Sequence, residues 1–412
     1  MSLDNLISIV KQEWLMSYED VLNKLESIAN TVNRQTFSIQ DLQRLDLNEK
    51  EVTFLINQLT AENFIKKSYS YECLVSAEVE ITDNLNDPCD FCEQSISEAS
   101  LHPILELFKL EKEFKRMVEI KQEEVLKKYI QEDYMENYLL LKERVNKLVP
   151  FLGAGVSIPL GLPSWSGLIW NMRESLSTSD DKEEFEGLIN DGDFLGALDY
   201  IRDYSPTLNH IDRIKTQIST KVKLDLKYNV DDSKHNIKDI INLASDFILT
   251  TNYDNALISY RDTAKDGYIT PVPVNDIEDL QEQFDEGQKQ VIHFHGMADR
   301  KSTMIVTKDD YEELYANEKT KGILNGIMSG KYLVFIGFSF NDAYFADLYT
   351  KIKGSVGGEH FIIVPNLTKH QNKQLTQRSL RAIGIKVPKD EKNKVSQQGI
   401  VDAIKYLINS IR

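Results

Sequence analysis

The stretch FLGAGVSIPLGLPSW, from Phe151 to Trp165, decides the fold of this chain. An apolar run that is typical of a buried strand stops there at Gly153-Ala154-Gly155. Small residues between a strand and a helix let backbone N–H groups come close to a pyrophosphate. The stretch therefore predicts a nucleotide pocket, although an ordinary tight turn between a strand and a helix would also explain these three residues.

Three later segments have the same form, an apolar run that ends in polar or glycine residues. They are LTTNYDNA from Leu249, VIHFHGMAD from Val291 and YLVFIGFSFND from Tyr332. The last is the most hydrophobic and is typical of a central parallel strand buried on both faces. The part of the chain that follows Gly153 therefore reads as an α/β domain.

Together with the glycine turn, these segments resemble the sirtuin-like NAD-binding domain over roughly residues 145 to 410. The resemblance implies an α/β fold with a Rossmann-like parallel sheet. It also implies that the largely polar residues 171–245 form an inserted helical module that covers the pocket. NAD is the expected ligand, as the substrate of a reaction.

The resemblance implies which residues surround NAD. Asn252 and His295 match the catalytic positions, where the amide would hold the carboxamide or a water and the imidazole would act as a base. The other expected contacts to NAD are Gly153, Ala154, Gly155, Ser157, Pro163, Trp165, Asp254, Gly337, Ser339, Asp342 and Asn366. No metal is expected at this site.

Several of these residues also have simpler interpretations. Asn252 and Asp254 would share one pocket if the backbone is extended, but Asn-Tyr-Asp also suits a turn. His293 and His295 point to one face of a strand, and no nearby cysteine or carboxylate set completes a metal site with them. A histidine suits the role of base because its ordinary pKa is near 6.5.

Two departures from the sirtuin pattern narrow the expected activity. Sirtuins normally have Asp-Phe-Arg after the loop proline, whereas this chain has Ser164-Trp165-Ser166, and no cysteine follows Cys92 to build the four-cysteine zinc module of deacylases. The chain therefore resembles the zinc-less sirtuin-like proteins of bacterial antiphage defence, which hydrolyse NAD to nicotinamide and ADP-ribose. The alternatives are a module that senses NAD or ADP-ribose without turnover, and a protein deacylase or ADP-ribosyltransferase.

Composition divides the 412-residue chain into dissimilar parts. All 19 glycines lie at or after Gly153, and the three cysteines lie before it. We expect an N-terminal interaction domain over residues 1–100, a helical connector over 101–147 and the NAD-binding domain over 148–412. Between Pro103 and Lys147 the chain is rich in Leu, Glu and Lys, which predicts a long helix or a helical pair.

The N-terminal domain resembles a winged helix, with helices and a hairpin between residues 18 and 78. DNA readout is disfavoured, because the candidate recognition segment is acidic and the whole chain has a formal net charge of −17. An acidic chain can still carry local basic patches, but we expect this domain to dock to a protein rather than to read DNA. Cys89 and Cys92 form a C-x-x-C that would be half of a zinc site, with Cys73 and His102 as the nearby donors.

The first residues lack the cationic start and unbroken apolar core of a signal peptide, and no apolar run is long enough to span a bilayer, so we expect a cytoplasmic protein. Three unevenly placed cysteines fit a reducing compartment. The apolar stripe within residues 103–147 favours a homo-oligomer. We expect no C-terminal sensor domain and therefore control by a partner, and the resemblance suggests a hexameric ATPase of the HerA type.

Overall fold

The computed structural model describes residues 3–31, 36–45, 47–261, 267–268, 270–277, 289–339, 343–389 and 394–412. The chain forms two compact units that divide between Lys128 and Tyr129. The segment 101–147, expected as a connector, is thus shared between both units. None of the described helices is long and apolar enough to cross a membrane.

The N-terminal unit consists of helices followed by a small antiparallel sheet. Its elements are α1 (Leu3–Trp14), α2 (Tyr18–Thr31), α3 (Ile39–Gln43), α4 (Glu49–Ala61), β1 (Ile65–Cys73), β2 (Glu78–Thr82), β3 (Ile104–Leu110) and α5 (Lys112–Tyr129). α4 shows why these segments are helical, since Val52, Leu55 and Leu59 recur at helical spacing and are buried. The side chain of Asn48 caps its first turn.

β1 is the central strand of this sheet and pairs with both β2 and β3. The order of helices and hairpin agrees with a winged helix, which stays a prediction. The expectation of helix from Pro103 onward is wrong for Ile104–Leu110, because Leu107 and Phe108 are buried there in a strand that pairs with β1. Helix begins only at Lys112.

The second unit is larger and contains a parallel sheet between helices. Its helices are α6 (Met135–Glu143), α7 (Trp165–Trp170), α8 (Ser179–Asn190), α9 (Phe194–Tyr204), α10 (Ile211–Asp225), α11 (Ile237–Asn242), α12 (Ala256–Ser259), α13 (Lys308–Ala316), α14 (Glu318–Met328), α15 (Ala343–Val356), α16 (Lys369–Gln377) and α17 (Gln397–Ile411). Its strands are β4 (Leu148–Leu152), β5 (Phe247–Thr250), β6 (Val272–Pro273), β7 (Gln290–His293), β8 (Tyr332–Ile336), β9 (His360–Pro365) and β10 (Leu380–Ile385).

The strand order is β10-β9-β8-β4-β5-β7-β6, and all of the pairs are parallel. From β4 the chain builds β5, β6 and β7 on one side and then returns to place β8 on the other. Such a reversal leaves a crevice at the carboxyl ends of the strands. The predicted α/β fold with a Rossmann-like sheet is therefore confirmed, and the crevice lies where the glycine turn follows β4.

Aromatic packing ties the central strands together. Phe151 on β4 is fully buried, and its ring centroid lies 5.3 Å from that of Phe335 on β8 and 5.7 Å from that of Phe294 after β7. Each such pair adds about 1 kcal/mol to the stabilisation that comes from burial alone. This core holds the carboxyl ends of β4, β7 and β8 in fixed positions.

The segment predicted as an inserted helical module contains several helices, and its role as a cover of the pocket stays a prediction. Residues 171–245 lie between β4 and β5 in sequence and contain α8, α9, α10 and α11. Each of its three longer helices buries apolar side chains, among them Phe185, Leu198 and Ile218.

Candidate functional site

A cavity of about 480 Å³ lies at the carboxyl ends of the central strands. Its walls come from the turns that follow β4, β5 and β8, from the helical module and from the last helix, α17. This is the position at which open α/β sheets bind ligands. The volume is in the range of pockets that take small molecules.

The turns after β4 and β8 pack backbone against backbone. The N–H of Gly153 donates to the carbonyl of Ile336 at 2.9 Å, and the N–H of Gly155 donates to the carbonyl of Gly337 at 2.9 Å. A Cβ at Gly155 would lie 2.7 Å from that carbonyl oxygen, and Gly337 has φ +77°, which favours glycine. These glycines are required by the packing itself, so a tight turn and a nucleotide pocket are compatible interpretations of the same residues.

Asn252, Ser157 and Asp254 form one hydrogen-bonded network at the cavity. The Asn252 amide nitrogen donates to the Gly153 carbonyl and to the Ser157 hydroxyl, each at 3.1 Å. The Ser157 hydroxyl donates to a carboxylate oxygen of Asp254 at 2.8 Å, and the other oxygen accepts from the N–H of Ala256 at 3.0 Å. Within the described residues, the Asn252 amide oxygen accepts no hydrogen bond. That oxygen is the group left to bind a ligand.

His293 supports this network from the strand side. Its Nδ1 lies 2.8 Å from the carbonyl oxygen of Asn252. Because a carbonyl can only accept, Nδ1 carries the proton and the ring is held in one tautomer. Burial lowers the pKa of His293, which keeps the ring neutral. His293 therefore positions Asn252.

His295 lines the cavity and is almost fully buried. Only 2% of the residue is exposed, and its Nε2 lies 2.9 Å from the hydroxyl of Tyr315. The ring of Tyr311 packs edge-on against the imidazole, with centroids 5.7 Å apart. Burial lowers the pKa of His295 to about 3, so the imidazole is neutral at physiological pH. It can accept a proton, although only weakly.

Most of the other predicted contacts line the same cavity. Beside the residues already described they are Ala154, Pro163, Trp165 and Ser339, whereas Gly153 does not line the cavity. Asn366 is placed elsewhere, since its amide donates to the Val387 carbonyl at 2.8 Å and accepts from the Val387 N–H at 3.0 Å. Its contact with the adenine ribose stays a prediction. Asp342 lies outside the described residues.

Sequence reasoning missed two parts of this site. Tyr315 on α13 contacts His295, but nothing in the spacing of the two residues marks them as partners. α17 contributes Ile400, Val401 and Ile404 to the wall, although its sequence predicts only an amphipathic helix. Which face of α17 lines the cavity can be predicted only after the strand order of the sheet is known.

The charge of the cavity limits how it would hold NAD. Among the described residues of its wall, Asp254 carries the only formal charge, and neither lysine nor arginine is present. Of the three N–H groups of the glycine turn, those of Gly153 and Gly155 already donate to carbonyls. The N–H of Ala154 has no acceptor within the described chain, so it is the one in this turn that would be available to a phosphate.

Comparison with known proteins agrees with this geometry. Residues 246–383 match the family model described as the SIR2-like domain. A stretch of 230 residues is 24% identical to the protein named NAD(+) hydrolase ThsA from Cytobacillus dafuensis. The aligned stretch covers 55% of this chain and 42% of that relative. The chain thus spans less than half the length of this relative. The predicted resemblance is confirmed, since residues 246–383 of the second unit are similar to the SIR2-like domain.

Proposed function

We propose that the second unit is an NAD glycohydrolase, which cleaves NAD to nicotinamide and ADP-ribose. The observation that supports it best is the meeting of the glycine turn, Asn252 and His295 at one cavity. These three features come from three different strands, so their convergence is a property of the fold. The name of the relative, an NAD(+) hydrolase, agrees with the proposal.

The reaction breaks the bond between nicotinamide N1 and ribose C1′, and a water oxygen forms the new bond to C1′. Nicotinamide leaves as a neutral molecule, while the ribose carbon develops positive charge in the transition state. The carboxylate of Asp254 supplies negative charge at the cavity, and the free amide oxygen of Asn252 can hold the water or the carboxamide. The proton released by the water passes to neutral His295 or to solvent.

The direct test is to incubate purified full-length protein with NAD and to follow free nicotinamide and ADP-ribose over time. Equal amounts of both products, released without an added peptide, are the expected result. The His295→Gln variant is the matched control for a contaminating NADase. Dependence of release on an acyl-lysine peptide would instead indicate a deacylase.

The second candidate is a module that binds NAD or ADP-ribose without turnover. The burial of His295 favours it, because an imidazole with a pKa of about 3 is a weak base. Calorimetry that shows tight NAD binding in a protein that releases no nicotinamide would support this candidate. Such a result would contradict the hydrolase proposal.

The proposal also includes the biological role of the activity, its location and its partners. An enzyme that consumes a shared cofactor must be held inactive until it is triggered, and the resemblance to zinc-less sirtuin-like proteins suggests a role in antiphage defence. We retain from the sequence a cytoplasmic location, a homo-oligomer and a partner such as a HerA-type ATPase. Co-purification with the products of neighbouring genes tests the partner.

A further inference from the structure

We propose that Cys73, Cys89, Cys92 and His102 in the N-terminal unit bind a structural zinc ion. One ligand atom from each side chain lies within 4.8 Å of the other three, and Cys92 Sγ is 3.3 Å from His102 Nε2. Tetrahedral zinc with Zn–S of about 2.3 Å and Zn–N of about 2.0 Å needs S–S separations of about 3.8 Å and S–N separations of about 3.5 Å. The four atoms therefore need to move by about 1 Å or less.

Backbone pairing fixes two of the ligands opposite each other. Cys73 is the last residue of β1, and the N–H groups on either side of it, from Glu72 and Leu74, donate to the carbonyls of Pro103 and Leu101 at 3.1 and 3.0 Å. These bonds continue the antiparallel register of β1 and β3. Cys73 and His102 are therefore directly opposed, with side chains on the same face of the sheet.

A tight turn presents the other two ligands. The N–H of Cys89 donates to the carbonyl of Gln94 at 2.7 Å, and the N–H of Glu93 donates to the carbonyl of Cys89 at 2.9 Å. Glu93 has φ +60°, an uncommon conformation for this residue type. The N–H of Phe91 donates to Cys89 Sγ at 3.5 Å. This contact orients the Cys89 side chain, as hydrogen bonds to metal ligands commonly do.

The burial of the cluster also points to a ligand. His102 is fully buried, and its Nδ1 has no hydrogen-bond partner within the described part of the chain. Its Nε2 lies 3.3 Å from Cys92 Sγ, and a thiol is a weak partner for a nitrogen. A metal ion at Nε2 would give this buried imidazole a strong partner on the side that faces the sulfurs.

The segment that carries the ligands needs a cross-link. Residues 83–103 form turns and single bridges without a helix or a longer strand. Apart from the cysteines, the small core that holds this segment contains only Tyr71, Ile96 and Leu85. Segments with so little apolar burial are commonly held by disulfides or a metal ion, and the three cysteines here are free thiols. A zinc ion would attach residues 83–103 to the end of β1.

The test uses full-length protein purified under reducing conditions from zinc-supplemented cells. Mass spectrometry of metals should find close to one zinc per chain that stays bound through gel filtration. A mercurial reagent should release this zinc as three thiols react, while circular dichroism shows that the rest of the chain stays folded. After release, limited proteolysis should cut within residues 83–103.

Variants separate zinc ligation from general stability. Cys89→Ser and His102→Gln should lose the zinc, whereas His102→Cys should keep it, because four thiolates also form a structural zinc site. His370→Gln changes an exposed histidine and should keep one zinc per chain. Wild-type protein that is metal-free with reactive thiols, or that forms a disulfide among these cysteines, would overturn the proposal. So would zinc that survives Cys89→Ser.

Discussion

The imidazole Nε2 of His295 lies 2.9 Å from the hydroxyl of Tyr315, and the histidine is almost fully buried. Tyr315 belongs to α13, whereas His295 follows β7, so the contact joins a surface helix to the sheet edge. The hydroxyl fixes the orientation of the ring within the cavity. Tyr315 is thus a positioning residue for His295.

We expect His295→Gln to lower the rate of NAD cleavage by about 10²-fold or more, as is usual when a general base is lost. The glutamine can keep a polar contact with Tyr315, so the melting temperature should change little. Release of nicotinamide by the purified variants measures the effect. Tyr315→Phe should cause a smaller loss with NAD binding retained. Wild-type rates in folded His295→Gln would remove the imidazole from the mechanism.

The pH dependence of activity should reflect the burial of His295. With a pKa of about 3, the imidazole stays neutral well below pH 6.5, where an ordinary histidine is half protonated. We therefore expect kcat/KM for NAD to show no histidine inflection near pH 6.5. An acid limb centred at pH 6.5 that is absent in His295→Gln would show that the imidazole titrates normally.

The same burial should make the fold sensitive to acid. In the unfolded chain His295 takes up a proton near pH 6.5, while in the folded protein it does so only near pH 3, so stability falls as the pH drops through this window. The slope for one such group is about 1.4 kcal/mol per pH unit. Denaturant titrations at pH 7.5 and 5.5 should show a smaller difference for His295→Gln than for the wild type. Burial of His293 and His360 lowers their pKa values and acts in the same direction.

Local sequence patterns were enough to predict the sheet and the glycine turns. An apolar run indicates a buried strand, and a glycine at its end indicates that another backbone segment comes close, as at Gly153 and Gly337. Both features can be read from a few neighbouring residues. The sequence names Cys73 and His102 as donors near Cys89 and Cys92, but their direct opposition depends on strand register. The pairing of His295 with Tyr315 depends on tertiary contacts. No spacing in the sequence encodes those contacts. The strand Ile104–Leu110 was missed for a related reason, since its partner β1 lies far away in sequence.

Asn252→Ala should lower turnover far more than NAD binding if the free amide oxygen orients the attacking water. Most of the binding free energy would come from the phosphates and adenosine, which are bound elsewhere. Comparison of kcat with the calorimetric Kd separates the two effects. Ser157→Ala is the control, because it removes one of the two bonds that hold the Asn252 amide but leaves the amide in place. A parallel loss of affinity and rate in Asn252→Ala would make this residue a cofactor anchor.

Gly155→Ala should destabilise the second unit on the order of 1–3 kcal/mol, because its Cβ would lie 2.7 Å from the Gly337 carbonyl oxygen. The opposing atom is backbone of the turn that follows the central strand β8 and cannot move alone. Gly187→Ala is the matched control, since nothing lies within 4 Å of its Cβ and it sits in the exposed face of α8. That control should raise stability by up to about 1 kcal/mol through helix propensity. Equal melting temperatures for the two variants would contradict the proposed backbone packing.

The N-terminal unit should control assembly. On its sheet, Val79 and Ile81 are 63% and 52% exposed, which is unusual for neighbouring apolar residues of a strand face and favours association. The described residues that line the cavity all belong to the second unit. Deleting residues 1–128 should therefore leave a unit that folds and binds NAD but has lost its oligomeric state or its regulation.

Light scattering of the full chain, of the deletion and of a Val79→Glu, Ile81→Glu double variant measures this effect. We expect an oligomer for the full chain and smaller species for both variants, because charged side chains on that sheet face would oppose its burial between subunits. Because the double variant keeps the rest of the N-terminal unit, it separates the effect of losing this apolar surface from the effect of losing the whole unit. A monomeric full chain whose rate of NAD cleavage is unaltered by the deletion would refute a role of the N-terminal unit in both assembly and control.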